Sequence, residues 1–285
     1  MRNLAETAHQ LVGSGRGILA ADESVGTMSS RLEAAGVVPS VETRRQYRAL
    51  LVTAPDLADT VSGVILCEET LRDRTDRHPS SPLFPEACHS LGILPGIKVD
   101  TGVTPLALAG GARVTEGLDG LRDRLSEFAA LGAAFTKWRA VIEVTTTSPR
   151  SLAANAHGLA RYAALCQEQG LVPIVEPEVL CEGDHDLDRC AEVTREALAT
   201  VFAALELSGV DPAGMVLKPN LVTPGLAGPA VTTAAVADRT LEVLLDVVPD
   251  AVAGVAFLSG GHPSQEACAY LGEINAMASR RTSRA

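Results

Sequence analysis

At 285 residues the chain is long enough to bury a large core, as one α/β domain or two smaller ones. Hydrophobic residues make up 46% of it and aromatics only 3%, so Leu, Val, Ile and Ala must fill that core; the even spread of Gly and Pro excludes a disordered or fibrous class. A net charge of −11 excludes a nucleic-acid backbone as the expected partner, yet it leaves room for a small anion held by a few cations in a cleft.

Met1 to Gly17 has no apolar signal core and reads as an amphipathic helix through Leu4, Ala8, Leu11 and Val12. Short strand-like runs then recur, each ending in polar residues: Gly17–Ala21 before Asp22, Val61–Leu66 before Glu68, and Gly96-Ile97 before Lys98. Ala134-Phe135 before Lys137, Leu171–Val175 before Glu176, Met215–Leu217 before Lys218, and Val252–Leu258 before Ser259 complete the series. The polar ends lie 46, 30, 39, 39, 42 and 41 residues apart. Helical patterns fill the gaps: Leu118 to Phe128, a Ser148-Pro149 start leading to Ala163, Leu187 to Val201, and Thr233 to Leu245. Pro263 to Ala278 is a last helix, with Cys268, Leu271, Ile274 and Met277 on one face. No apolar stretch approaches membrane-spanning length.

Strands alternating with helices at this spacing predict parallel βαβ units, and continuous apolar strands predict burial on both faces. Two architectures fit, an α/β barrel of the (β/α)8 TIM type and a doubly wound open sheet. No Gly-x-Gly-x-x-Gly follows the first strand, and charged residues end many different strands, so the barrel is the better reading. The six cysteines include no C-x-x-C pair and read as buried thiols of a reducing cytosol. His185 between Asp184 and Asp186 is the one local metal-like cluster, and it reads as a solvated loop.

Only three lysines occur, against 21 arginines, and all three end apolar runs: Lys98, Lys137 and Lys218. Lysine, unlike arginine, readily loses its proton when desolvated and then serves as an amine nucleophile. In a barrel mouth these lysines would meet Asp22, Glu68, Arg139, Glu176, Glu178 and Ser259. A neutral lysine there can attack a ketone, the iminium so formed is an electron sink for an adjacent C–C bond, and carboxylates move the protons. Taken singly, a strand-end Lys or Glu reads better as part of an ion-pair network; taken in order, these residues point to one site. Ser259-Gly260-Gly261 offers consecutive N–H groups to an anion ahead of a helix.

Those runs carry a resemblance. Gly17-Ile18-Leu19-Ala20-Ala21-Asp22-Glu23-Ser24, Gly96-Ile97-Lys98-Val99-Asp100 and Lys137-Trp138-Arg139 resemble class I, Schiff-base fructose-bisphosphate aldolase. So do Val172 to Glu178, Gly183 to Leu187, Leu217-Lys218-Pro219-Asn220 and Phe257 to Gly261. The match is collinear from about residue 4 to residue 278. It implies that Lys218 forms the Schiff base, Glu176 shuttles protons, Asp22 acts at the substrate hydroxyl, Lys137 assists electrostatically, and Glu178 positions the lysines. It implies substrate contacts from Lys98 and Arg139, phosphate contacts from Ser259, Gly260 and Gly261, and a phosphate-binding rim at Ser24 and Arg31. Thr27 stands where the family often has Ser. No metal or other cofactor is implied. The implied partner is a phosphorylated sugar, and the implied setting is a cytoplasmic homotetramer with no membrane or nucleic-acid partner.

One departure accompanies the likeness. Seven strand-like runs are present where the family has eight, and Ser279 to Ala285 reads as a disordered basic tail after a single domain over residues 1–278. The family's eighth strand carries an arginine for the ketone-side phosphate. Its absence here is expected to follow from a frameshift or shortening, from completion by a separate polypeptide, or from natural divergence. Three functions are therefore weighed: a fructose 1,6-bisphosphate lyase, an impaired aldolase-like binding or assembly protein, and a Schiff-base aldolase for another sugar phosphate.

Overall fold

The computed structural model describes residues 3–13 and 15–282. In chain order the strands are β1 (Gly17–Ala21), β2 (Val61–Leu66), β3 (Leu94–Lys98), β4 (Gly102–Pro105), β5 (Arg113–Glu116), β6 (Phe135–Ile142), β7 (Val172–Val179) and β8 (Val216–Leu217). The helices are α1 (Leu4–Val12), α2 (Val25–Ala34), α3 (Val41–Val52), α4 (Leu57–Thr60), α5 (Glu68–Leu71), α6 (Phe84–Ser90) and α7 (Leu121–Ala130). They continue with α8 (Pro149–Glu168), α9 (Leu187–Leu207), α10 (Thr233–Val247) and α11 (Ser264–Thr282).

Six strands form one parallel sheet in the order β1-β2-β3-β6-β7-β8, so each βα unit adds a neighbour, as expected of a barrel rather than a doubly wound sheet. The sheet is the wall of a half-barrel. Its outer face packs on the helices through Val64, Leu66, Ile97, Trp138 and Val175, against Leu125, Phe128, Leu159 and Tyr162. The interior is closed by α1, whose Ala8 and Leu11 are fully buried among Ile65, Phe135, Val172, Ile174 and Val216. This close fit explains two strand glycines. A Cβ on Gly63 would lie 2.6 Å from Leu11 Cδ2, and one on Gly96 would lie closer still to two carbons of the Phe135 ring. Interior packing thus depends on bare backbone at β2 and β3 and on a large side chain from β6.

Two expectations are corrected here. The seventh run, Val252–Leu258, is not a strand. It touches β8 through one parallel bridge, Leu217 to Val255, with Leu217 N–H donating to the Gly254 carbonyl at 3.1 Å and Ala256 N–H to the Leu217 carbonyl at 2.9 Å. The ladder stops because Pro219 follows Lys218 without an N–H and because β8 is itself only two residues long. The last helix also runs past the expected boundary at Ala278, to Thr282, with the Ser279 hydroxyl bonded to the Asn275 carbonyl at 2.9 Å. Residues 283–285 of the expected tail lie outside the described residues. The β4–β5 hairpin is an addition that no strand-like run anticipated; it pairs Gly102 with Glu116 and lies beside β6. Of the cysteines, four are buried as expected, while Cys67 is half-buried and Cys268 exposed.

Candidate active site

Strand alternation builds the centre. Side chains two residues apart share a face, so Lys137 and Arg139 on β6 point the same way, as do Glu176 and Glu178 on β7. The ladder sets Lys137 opposite Ile174 and Arg139 opposite Glu176, which leaves each cation one pleat from its carboxylate. Lys137 Nζ lies 3.4 Å from Glu176 Oε2, and Arg139 Nε donates to Glu178. Lys98 at the end of β3 is in register with Lys137. Asp22 follows the last residue of β1, and its carboxylate is 2.7 Å from Lys137 Nζ. Lys218, next after β8, reaches back so that Nζ donates to Glu176 Oε1 at 2.8 Å.

The result is a chain of charges, Lys218–Glu176–Lys137–Asp22, almost wholly enclosed. The Lys137 side chain is 6% exposed, Glu176 4% and Lys218 15%. Glu176 Oε2 is close enough to Lys137 for an ion pair but is not aligned for a hydrogen bond, so that oxygen keeps its lone pairs free. Burial alone would drive the Lys137 amine toward neutrality; the carboxylates of Glu176 and Asp22 outweigh it and hold the pKa above the ordinary lysine value. Lys137 is therefore a fixed cation, not a nucleophile. The same balance, burial against the Glu178 hydrogen bond, raises the pKa of Arg139.

Beside this chain lies a cleft of about 500 Å³ lined by Asp22, Glu23, Ser24, Thr27, Arg31, Lys98, Asp100, Lys137 and Arg139, a volume suited to a small ligand. Its rim is held by local chemistry. The Ser24 hydroxyl caps α2 by accepting from the Thr27 N–H at 3.2 Å, and it lies 2.9 Å from the Thr27 hydroxyl. Arg31 reaches back to Glu23 at 2.6 Å.

Among the residues singled out from sequence, the structure thus gathers Asp22, Ser24, Thr27, Arg31, Lys98, Lys137 and Arg139 around one cleft; Glu176 and Glu178 are ion-paired to its Lys137 and Arg139, and Lys218 is joined to it through Glu176 while lining a second cleft with Ile18 and Ala20. Glu178 differs from expectation: its ion-pair partner is Arg139 rather than a lysine, because Arg139 stands one pleat below it on β6. Ser259 also stands apart. It is exposed and lines a recess with Leu221, Phe257 and Cys268, while Gly260 and Gly261 turn with φ of 60° and 90° and the Gly260 carbonyl accepts from the Cys181 thiol. Glu68 pairs with Arg72 on the surface and takes no part. The Asp184–Asp186 stretch joins no metal-type group among the described residues, and His185 is half-buried with its pKa lowered by burial.

Sequence reasoning missed Asp100 and Arg48. Asp100 Oδ1 is 2.6 Å from Lys98 Nζ, and its other oxygen accepts from the Arg139 backbone N–H at 3.3 Å. Spacing of two from Lys98 was the available signal. Arg48 is fully buried behind β1, and nothing in the charged run Glu42 to Arg48 marks it.

What the arrangement can do is specific. A lysine beside a proton-carrying carboxylate, a second carboxylate across a fixed ammonium, and a cationic cleft together suit imine chemistry on an anionic carbonyl compound. Comparisons with known proteins agree. The family described as Fructose-bisphosphate aldolase class-I matches residues 3–283. A probable fructose-bisphosphate aldolase class 1 of Xanthomonas campestris pv. campestris is 47% identical over 279 residues, covering 96% of this chain and 82% of that protein. Fructose-bisphosphate aldolase 5, cytosolic, of Arabidopsis thaliana is 47% identical over 275 residues, covering 95% and 76%. The solved structure of fructose-bisphosphate aldolase from Plasmodium falciparum, in complex with TRAP and a small-molecule inhibitor, superposes with a TM-score of 0.92 at 42% identity, covering 96% of this chain and 80% of that one.

Proposed function

Since this chain belongs to the class I fructose-bisphosphate aldolase family, a family of lyases, we propose that Lys218 is the amine through which it reversibly cleaves fructose 1,6-bisphosphate. The products are dihydroxyacetone phosphate and glyceraldehyde 3-phosphate. The observation that carries the assignment is the contrast between two lysines on one carboxylate. Lys137 is locked as a cation by Asp22 and Glu176, whereas Lys218 has Glu176 as its one ion-pair partner among the described residues.

In this reading the neutral Lys218 amine attacks the C2 ketone, and Glu176 carries protons to and from the carbinolamine until water leaves and an iminium forms. Asp22 takes the C4 hydroxyl proton, the C3–C4 bond breaks, and its electron pair flows into the iminium to give an enamine. Glyceraldehyde 3-phosphate departs. Protonation of the enamine carbon and hydrolysis of the imine release dihydroxyacetone phosphate and regenerate Lys218. The Lys137 ammonium stabilises negative charge on Asp22, Glu176 and the substrate oxygens throughout. Arg139 and Lys98 hold substrate oxygens, and Ser24, Thr27 and Arg31 receive the distal phosphate. Ser259, Gly260 and Gly261 face the ketone-side phosphate. A single domain over most of the chain, a cytoplasmic site of action and a homotetramer complete the reading. The first is supported by one continuous sheet, the second by a relative named cytosolic, and the third by family likeness alone.

Borohydride trapping with dihydroxyacetone phosphate, read by intact mass and peptide mapping, tests the assignment. One adduct on Lys218, lost in Lys218→Met, is expected. No adduct on folded protein, or an adduct on Lys137, overturns it.

A further inference from the structure

Among the described residues Arg48 is the one charged side chain with no exposed surface at all. Burying a guanidinium costs several kcal/mol unless its donors are matched. All of its partners lie at the mouth of the barrel. Nε donates to the Ala21 carbonyl at 3.1 Å and Nη2 to the Glu23 carbonyl at 2.8 Å, while Nη1 donates to Glu69 Oε2 at 3.3 Å. Glu69 is shared with Arg44, which binds it through Nε at 3.0 Å and Nη2 at 2.7 Å and holds the carboxyl below the usual carboxylate range.

The two carbonyls belong to the residues on either side of Asp22. One rigid, planar guanidinium therefore holds the 21–22 peptide plane directly before Asp22 and the 23–24 plane one residue beyond it, bracketing Asp22 and restricting the direction of its Cα–Cβ bond. Asp22 lies just past the end of β1, outside the strand ladder, so the sheet does not hold it. We infer that Arg48 is a positioning residue for Asp22, acting on C–C bond cleavage and not on imine formation. The inference rests on the assignment of Lys218 and Asp22 given above. Glu176 sits on β7 and Lys218 just past β8, and among the described residues neither shares a partner with Arg48.

The test separates the two chemical steps. In Arg48→Lys and Arg48→Met, dihydroxyacetone phosphate should still be trapped on Lys218 at a rate within about threefold of the parent. The kcat for fructose 1,6-bisphosphate cleavage should fall about 10- to 100-fold with KM little changed, as expected for a displaced catalytic group. Lysine should recover part of the loss seen with methionine, since it can reach one of the two carbonyls. Glu69→Gln keeps Arg48 and loosens its anchor; it should show the same split at smaller amplitude, and it serves if the Arg48 variants do not fold. Trapping and cleavage falling together would overturn the inference in favour of a purely structural role, and so would unchanged cleavage. A parent protein that neither traps nor cleaves would instead sink the Schiff-base assignment.

Discussion

Each cation that lines the cleft already has a carboxylate: Arg31 has Glu23, Lys98 has Asp100, Lys137 has Asp22 and Glu176, and Arg139 has Glu178. A bound phosphate must compete with these pairs, and the most enclosed of them costs most to disturb. Lys137 is the crux, because removing its ammonium leaves two largely buried carboxylates without the cation between them. Lys137→Met is expected to lower kcat by about 100-fold or more and to destabilise the fold by about 3–5 kcal/mol, measured by steady-state cleavage and urea unfolding. The pH dependence has a definite sign. The pKa of Lys137 is raised on folding, so its contribution is complete below the free lysine value of about 10.4 and is lost as pH climbs through the higher folded value. The stability difference between parent and Lys137→Met should be flat from pH 7 to 9 and shrink above pH ~10.4; a difference that shrinks toward acid would refute it. At this scale the sequence exposed the residues whose type is rare, namely the lysines, and those in strand-end motifs. It concealed Arg48, because an arginine in a run rich in charge looks the same whether it faces water or the core.

Element packing shows where periodicity informs and where it fails. The parallel strands β1, β2 and β3 were legible as apolar runs ended by charge and β6 and β7 by their apolar starts, although both run on through their charged residues to Ile142 and Val179; α1, α8, α9 and α10 were legible because they carry an apolar face at helical spacing. The β4–β5 hairpin was not, since its four-residue strands are too short to set a pattern, and Val252–Leu258 misled because apolar character alone does not supply a ladder partner. Gly96 shows how closely elements interlock. Its missing side chain is the space filled by Phe135, a ring with no exposed surface. Gly96→Ala forces that ring to move and is expected to destabilise by about 1–3 kcal/mol, seen as a lower urea midpoint at constant m-value. Adding Phe135→Leu should recover part of the loss. Simple additivity of the two changes would show that the ring contact is not the cause.

The molecule as a whole is an open half-barrel among its described residues. β1 pairs on one side only, with β2, and the opposite end of the sheet trails off through the single bridge at Val255. Between these two edges runs a cleft of about 400 Å³ lined by Gly17, Ile18 and Ala20 on one side and Val255, Ala256 and Phe257 on the other, with Lys218 also in its wall. Strand edges with free N–H and C=O groups beside apolar side chains template pairing with another chain, and net charge opposes that pairing only at long range. The surface charge of −11 keeps copies apart at low ionic strength and is screened at high salt. Sedimentation velocity should therefore show association beyond the proposed tetramer that grows with protein concentration and with added salt. Ile18→Lys places a charge on the free edge of β1 and should move the onset to roughly tenfold higher concentration, the effect of a gatekeeper residue. An assembly built on other surfaces would behave oppositely, with one size across the concentration range and no response to Ile18→Lys. Because Lys218 lines the same cleft, edge pairing should also slow borohydride trapping as concentration rises; a trapping rate independent of concentration would show that the edges do not meet.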